Sequence, residues 1–331
     1  MSMIRRAKSW LRVLRVPFEW LGIGLGVLLF SWLPRRAMLG VCDVISRVMY
    51  RFDRAGRKLA LFNLRVVLGA DEVKDLPFAK LKTTRLAPPT AREEKILRRS
   101  YRNMARTVGH AFWTCRNARR RVVEAGEMCE EGKRFLAANR PAVTVSGHIG
   151  CWEILSQLAF LEGHPMMSVA KDIGTSGMTR LLMKSRTSIG QEIVHADGAF
   201  RPLMQGIKDG KSLGLLVDQV VKPKNGGVWV RFFGRPVPVS AAPAFFSAKG
   251  KAPVAVAWSR PLPDGRYRCE VVNTYSPQEA REVWNLTQRC IRDLEAIIRR
   301  HPSCWVLNYR YFRKVPSAEE KAQLESRLRG V

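Results

Sequence analysis

An apolar run that ends in a glycine-bracketed histidine and then opens a helix limits most what this chain can fold into. Pro141-Ala142-Val143-Thr144-Val145-Ser146 has the length and β-branched content of a buried parallel-sheet strand, and Cys151 to Leu161 reads as a helix. Gly147 and Gly150 supply the tight turn between them. Such a strand-turn-helix unit belongs to an α/β fold, expected here as a mixed sheet flanked by helices.

The turn carries a histidine and the new helix carries a carboxylate, His148 and Glu153. On one continuous helix the two would sit about 140° apart and diverge. With His148 in the turn and Glu153 in the first helical turn, the carboxylate can hold one ring nitrogen and leave the other as a base. An imidazole of ordinary pKa, about 6.5, suits removal of a hydroxyl proton near neutrality. Taken alone, a capping glutamate beside a satisfied surface histidine explains the same residues.

The rest of the chain extends the α/β pattern. Candidate strands are Ala142–Ser146, Met166–Ala170, Glu192–Ala196, Ser212–Val217, Pro253–Trp258 and Tyr267–Val272, with a long helix over Gln278–Arg300. Ahead of them, Met38–Leu68 and Ala91–Arg120 read as basic helical stretches joined by a charged, proline-containing link. The expected organisation is a basic membrane-anchoring helix over 1–40 and a catalytic domain over 41–331, helical to 135 and α/β from 136. Gly206-Ile-Lys-Asp-Gly210-Lys211-Ser212 looks like a phosphate loop, but its glycines are one residue too close and it follows a helix, so it reads as a helix C-cap.

Charge adds a second constraint. With 57 Lys+Arg against 28 Asp+Glu the formal charge is +29, which calls for a polyanionic partner. The arginines are scattered, with no zinc-finger spacing and no RNP-like aromatic motif, which argues against nucleic acid and for an anionic membrane surface. Trp20 to Leu33 is a 14-residue apolar run between arginine clusters, short of the roughly 20 residues a spanning helix needs. It reads as a monotopic, interfacial helix, with an ordinary buried helix as the alternative. Seven cysteines without a C-x-x-C pair argue against a disulfide framework or structural zinc, and the histidine spacing predicts no metal.

Four ordered blocks resemble the lipid A late acyltransferases, the lauroyl and myristoyl transferases within the lysophospholipid acyltransferase group. They are Trp32-Leu33-Pro34-Arg35-Arg36 with Lys58 to Leu64, Ser146 to Glu153, Leu215-Leu216-Val217-Asp218-Gln219, and Phe232-Phe233-Gly234-Arg235-Pro236. The resemblance implies a glycerol-phosphate-acyltransferase-like sandwich in which His148 is the general base and Glu153 its orienter. Lys171 stands where the family commonly has an arginine, keeping the charge but losing the bidentate fork.

The expected activity is transfer of a fatty acyl group from an acyl carrier protein or coenzyme A thioester to a hydroxyl of a lipid A precursor or similar glycolipid, at the cytoplasmic face of a bacterial inner membrane. Acyl carrier protein, the membrane and the lipid acceptor are the expected partners, with no cofactor beyond the acyl donor and no nucleic acid. Lys171, Arg201, Asp218, Gln219, Gly234 and Arg235 are the substrate-binding candidates, and Trp229, Phe232 and Phe233 could wall an acyl groove. Backbone amides around Gly147 and Gly150 are the oxyanion candidates. A different lipid acceptor, or a non-catalytic binding protein, are the competing readings.

Overall fold

The computed structural model describes residues 22, 24–170, 180, 183–184 and 186–329. Its strands are β1 (Gly126–Met128), β2 (Val143–Ser146), β3 (Met166–Ala170), β4 (Glu192–His195), β5 (Ser212–Leu216), β6 (Gly227–Phe232), β7 (Arg235–Ser240), β8 (Val254–Pro261) and β9 (Tyr267–Tyr275). Seven form one sheet in the order β1-β9-β8-β2-β5-β3-β4. Pairing is parallel throughout except between β8 and β9, so the sheet is mixed as expected.

Helices α1 (Arg35–Phe52), α2 (Arg54–Leu68), α3 (Ala91–Trp113), α4 (Ala118–Ala125), α5 (Glu130–Ala138), α6 (Trp152–Leu161), α7 (Phe200–Lys208), α8 (Ala242–Gly250), α9 (Val283–Arg300) and α10 (Ala318–Arg329) surround it. The helical stretch expected over Met38–Leu68 is two helices, because Asp53 leaves helical geometry and caps the second through the Gly56 amide. Thr90 and Glu93 form a reciprocal capping box that starts α3. Where a phosphate loop could be read, Gly206 lies inside α7 and Gly210 follows it at φ +77°, as a helix end requires.

Two sheet faces behave differently. Val143, Val145, Leu213, Leu215, Val254 and Val256 are in register and enter the main core, which also takes Leu61, Phe62 and Leu97 from the preceding helices. One buried cluster therefore ties the N-terminal helices to the α/β part. The opposite face presents small residues, Thr144, Gly214 and Ala255 in one row.

The β6–β7 hairpin lies outside the strands expected from sequence and corrects the reading of its tip. Phe233 and Gly234 form a two-residue turn with φ of +50° and +74°, the geometry of a type I′ hairpin. Gly234 thus serves chain reversal at the tip of this hairpin.

Among the described residues no helix is long and apolar enough to cross a membrane. The expected anchor at Trp20–Leu33 lies partly outside the described residues. Residues 24–32 are helical, with Leu25, Leu28, Leu29 and Trp32 exposed.

Candidate active site

Topology places the site. From β2 the chain crosses through α6 to β3 on one side, whereas from β5 it leads through β6, β7 and α8 to β8 on the other. β2 and β5 are neighbours whose connections diverge, which opens a crevice beyond their carboxyl ends. Register pairs Ser146 with Leu216, so His148 and Asp218 each lie two residues past the last pair.

There the two side chains meet. Asp218 is fully buried, and its Oδ1 lies 2.8 Å from His148 Nδ1. Its Oδ2 accepts from the His148 amide at 2.9 Å and from Trp305 Nε1 at 2.9 Å. Burial, the largest single influence, pushes the Asp218 carboxyl up. The His148 charge and the hydrogen bonds from His148 and Trp305 outweigh it and hold the carboxyl below its ordinary value. An ionised carboxylate on Nδ1 fixes the proton there and leaves Nε2 as the basic nitrogen. Gln219 Nε2 lies 3.1 Å from His148 Nε2, and the Trp152 ring packs edge-on to the imidazole at 4.9 Å.

Glu153 does not occupy the expected position. Its carboxylate pairs with Arg186, Nε to Oε2 at 2.7 Å and Nη2 to Oε1 at 2.6 Å, and accepts from Trp152 Nε1 at 3.0 Å. The helix turns Glu153 away from Nδ1, where Asp218 already sits. Burial raises the Glu153 carboxyl, but Arg186, Trp152 and the nearby His148 charge together hold it lowered.

The loop amides are spoken for as well. The His148 N–H donates to Asp218, Ile149 to Gly147 O at 2.7 Å, and Gly150 to Cys304 O at 2.8 Å. None of the three is left to face an oxyanion. Gly147 and Gly150 instead permit the loop's close packing. A Cβ on Gly147 would lie 3.2 Å from the Asp218 carboxyl, and one on Gly150, at φ +63°, would lie 1.8 Å from Ser259 O.

Several expected binders are structural. The Arg235 guanidinium donates to the carbonyls of Val73, Lys74 and Leu76 and lies over Phe62 and Phe312. Three backbone carbonyls and two rings therefore surround this guanidinium. Phe232 and Phe233 are buried against Trp305 and pack the core rather than wall a groove, while Trp229 is half-buried and gives its carbonyl to Trp284 Nε1. Arg201 is exposed on α7. Lys171 lies outside the described residues.

The small-residue sheet face opens a cavity of about 1530 Å³. His148, Trp152 and Gln219 line it, together with Thr144, Gly214 and Ala257 from the sheet. Its size exceeds the roughly 300–1,000 Å³ of ordinary small-ligand sites. All seven cysteines are unpaired. Cys151, three residues from His148, is buried, and burial pushes its thiol up to about 12, so it offers no thiolate nucleophile.

Residues 85–314 match the family model described as bacterial lipid A biosynthesis acyltransferase, more than half of the 331-residue chain. The chain belongs to this family. No curated protein matches the sequence. The bacterial lipid A biosynthesis acyltransferase region spans the sheet and the strand ends carrying His148 and Asp218, as well as α3, whose Thr107 hydroxyl donates to Gly150 O in the His148 loop. It identifies the protein as an acyltransferase.

Three site residues escaped the sequence reading in whole or part. Asp218 and Gln219 were legible as site-lining groups because they end an apolar strand, but not as partners of His148. Arg186 carries no local signal, since its meaning depends on Glu153 across 33 residues.

Proposed function

We propose that the protein moves a fatty acyl group from an acyl carrier protein or coenzyme A thioester to a hydroxyl of a lipid A precursor or similar glycolipid, at an anionic membrane surface. The observation that carries this reading is His148 Nδ1 held by the buried Asp218 carboxylate at the edge of a large, mainly apolar cavity. Nε2 of His148 takes the acceptor's hydroxyl proton as the oxygen attacks the thioester carbonyl. The carbon-oxygen bond forms, the carbon-sulfur bond breaks, and the imidazolium returns its proton to the departing thiolate.

Gln219 takes the role of carbonyl-oxygen donor in this scheme. Its amide meets Nε2 where the acceptor hydroxyl must arrive, and rotating aside places it next to the carbonyl being attacked. Asp218 replaces Glu153 as the orienting carboxylate. The Glu153–Arg186 pair holds Trp152, and Trp152 in turn braces the His148 ring.

The test is acyl transfer by purified protein and by His148→Ala, given long-chain acyl carrier protein or acyl coenzyme A with total bacterial lipid extract and read by mass spectrometry. Loss of the base is expected to slow product formation by about 10²- to 10⁴-fold. Equal product from both proteins would overturn the assignment.

The cavity makes a further prediction about chain length. A Cβ at Gly214 would lie 3.1 Å from Ser168 Oγ and 3.4 Å from Met166 Cε, already crowded on the cavity wall. Gly214→Leu is expected to shift the transferred chains toward shorter ones, measured by competing thioesters of different length in one reaction. An unchanged product distribution would place the acyl chain elsewhere.

A further inference from the structure

Helix α1 exposes a stripe that soluble packing does not explain. Val44, Ile45, Val48, Met49 and Phe52 all face solvent, Phe52 at 77% exposure. Positions 44, 47, 48, 51 and 52 recur at helical spacing, so Arg47 and Arg51 lie within the same stripe. The stripe continues the exposed Leu25, Leu28, Leu29 and Trp32 of the preceding helical residues in sequence.

Beside it, α3 presents Arg99, Arg102 and Arg106 at i, i+3 and i+7. Asp43 lies next to them, but Arg106 takes both of its oxygens, each at 2.7 Å. Arg102 has a buried Nε with no hydrogen-bond partner. Burial lowers the Arg102 pKa, and the charges of Arg106, Arg99 and Arg47 lower it further, with only Asp43 opposing them. Among the described residues no carboxylate pairs with Arg47, Arg99 or Arg102, and none of the three lines the cavity. Guanidinium groups gathered this way match the several oxygens of a phosphate, and the adjoining apolar stripe suits the acyl boundary beneath a headgroup.

We propose that α1 and α3 form a docking face for an anionic bilayer, with the α1 apolar residues inserted at the interface and Arg47, Arg99 and Arg102 clasping the phosphate of a lipid headgroup. This rests on the membrane-facing part of the reading above and not on acyl transfer, because binding is read without turnover.

The experiment measures binding of the full chain to vesicles of phosphatidylcholine alone and of phosphatidylcholine doped with phosphatidylglycerol. Arg99→Ala/Arg102→Ala is expected to weaken binding to the doped vesicles by about thirtyfold, from the contribution of each arginine near such a surface. Arg47→Glu/Arg99→Glu, confined to exposed positions, should do at least as much and guards against a folding effect at Arg102. Arg281→Ala/Arg292→Ala removes the same charge elsewhere and should cost only a few-fold. Val48→Ser/Phe52→Ser should weaken binding to both kinds of vesicle.

Acyl transfer in neutral detergent micelles should be unchanged in all four variants. Its absence even in the parent would count against the acyl-transfer reading and leave the docking face intact. Equal losses from the two arginine pairs would overturn the proposal in favour of undirected attraction. So would binding of inorganic phosphate that depends on Arg99 and Arg102 while vesicle binding does not, or loss of acyl carrier protein capture in place of vesicle binding.

Discussion

Asp218→Asn is expected to lower turnover by about 10⁴-fold while leaving the protein folded. The carboxylate accepts three N–H groups, one from His148 Nδ1 on Oδ1 and two, from the His148 amide and Trp305 Nε1, on Oδ2. An amide has one acceptor oxygen, and two fixed donors on one side claim it. Its NH₂ then faces Nδ1, moves the imidazole proton to Nε2 and removes the lone pair that would take the hydroxyl proton. The loss should fall on kcat with little change in KM, checked by steady-state kinetics beside a thermal melt. Glu153→Gln, which does not touch Nδ1, should cost less turnover, and the opposite ranking would return the orienting role to Glu153.

Arg186→Met should act on stability instead. It strips the cation from Glu153, whose carboxylate is about nine-tenths buried, and such losses cost about 3–5 kcal/mol. The sign of the pH dependence identifies the cause. In the parent the Glu153 carboxyl is held low, so its contribution is present above the unfolded value of about 4.3 and lost as pH falls. In the variant, burial without the cation pushes the carboxyl up, so stability is favoured in acid and lost as pH rises. The difference in melting temperature between the two should therefore narrow as pH drops from 7 toward 4. Glu153→Gln/Arg186→Met should recover much of the loss, whereas a gap independent of pH would assign the cost to packing alone.

What the sequence revealed was whatever a strand or helix announces locally. Met166–Ala170 matches the observed strand, and five other strands were placed to within a few residues, most clearly β2, β5 and β8, whose central positions in the sheet make them mostly apolar runs. The β6–β7 hairpin was missed because Pro236 and Pro238 interrupt its second strand, a pattern that reads against strand. At the site, the His148 loop was legible from its glycines, but the choice between Glu153 and Asp218 was not. Sequence spacing favoured the nearer carboxylate, and only the register of β2 against β5 brings the farther one to Nδ1. Arg235 and Phe232 looked like binders because cationic and aromatic groups serve cores and ligands alike.

Trp305 gives one more consequence. The segment that carries it also accepts the Gly150 amide at Cys304 O and donates from Val306 N to His148 O, while Ser100 and Asn63 hold the carbonyls of Trp305, Leu307 and Tyr309. The His148 loop is thus held by residues more than 150 positions after it. Chain synthesis runs from the amino terminus, so all nine described strands are made before Trp305 is there to donate to Asp218, and the setting of His148 is completed by a segment later than the sheet that carries it.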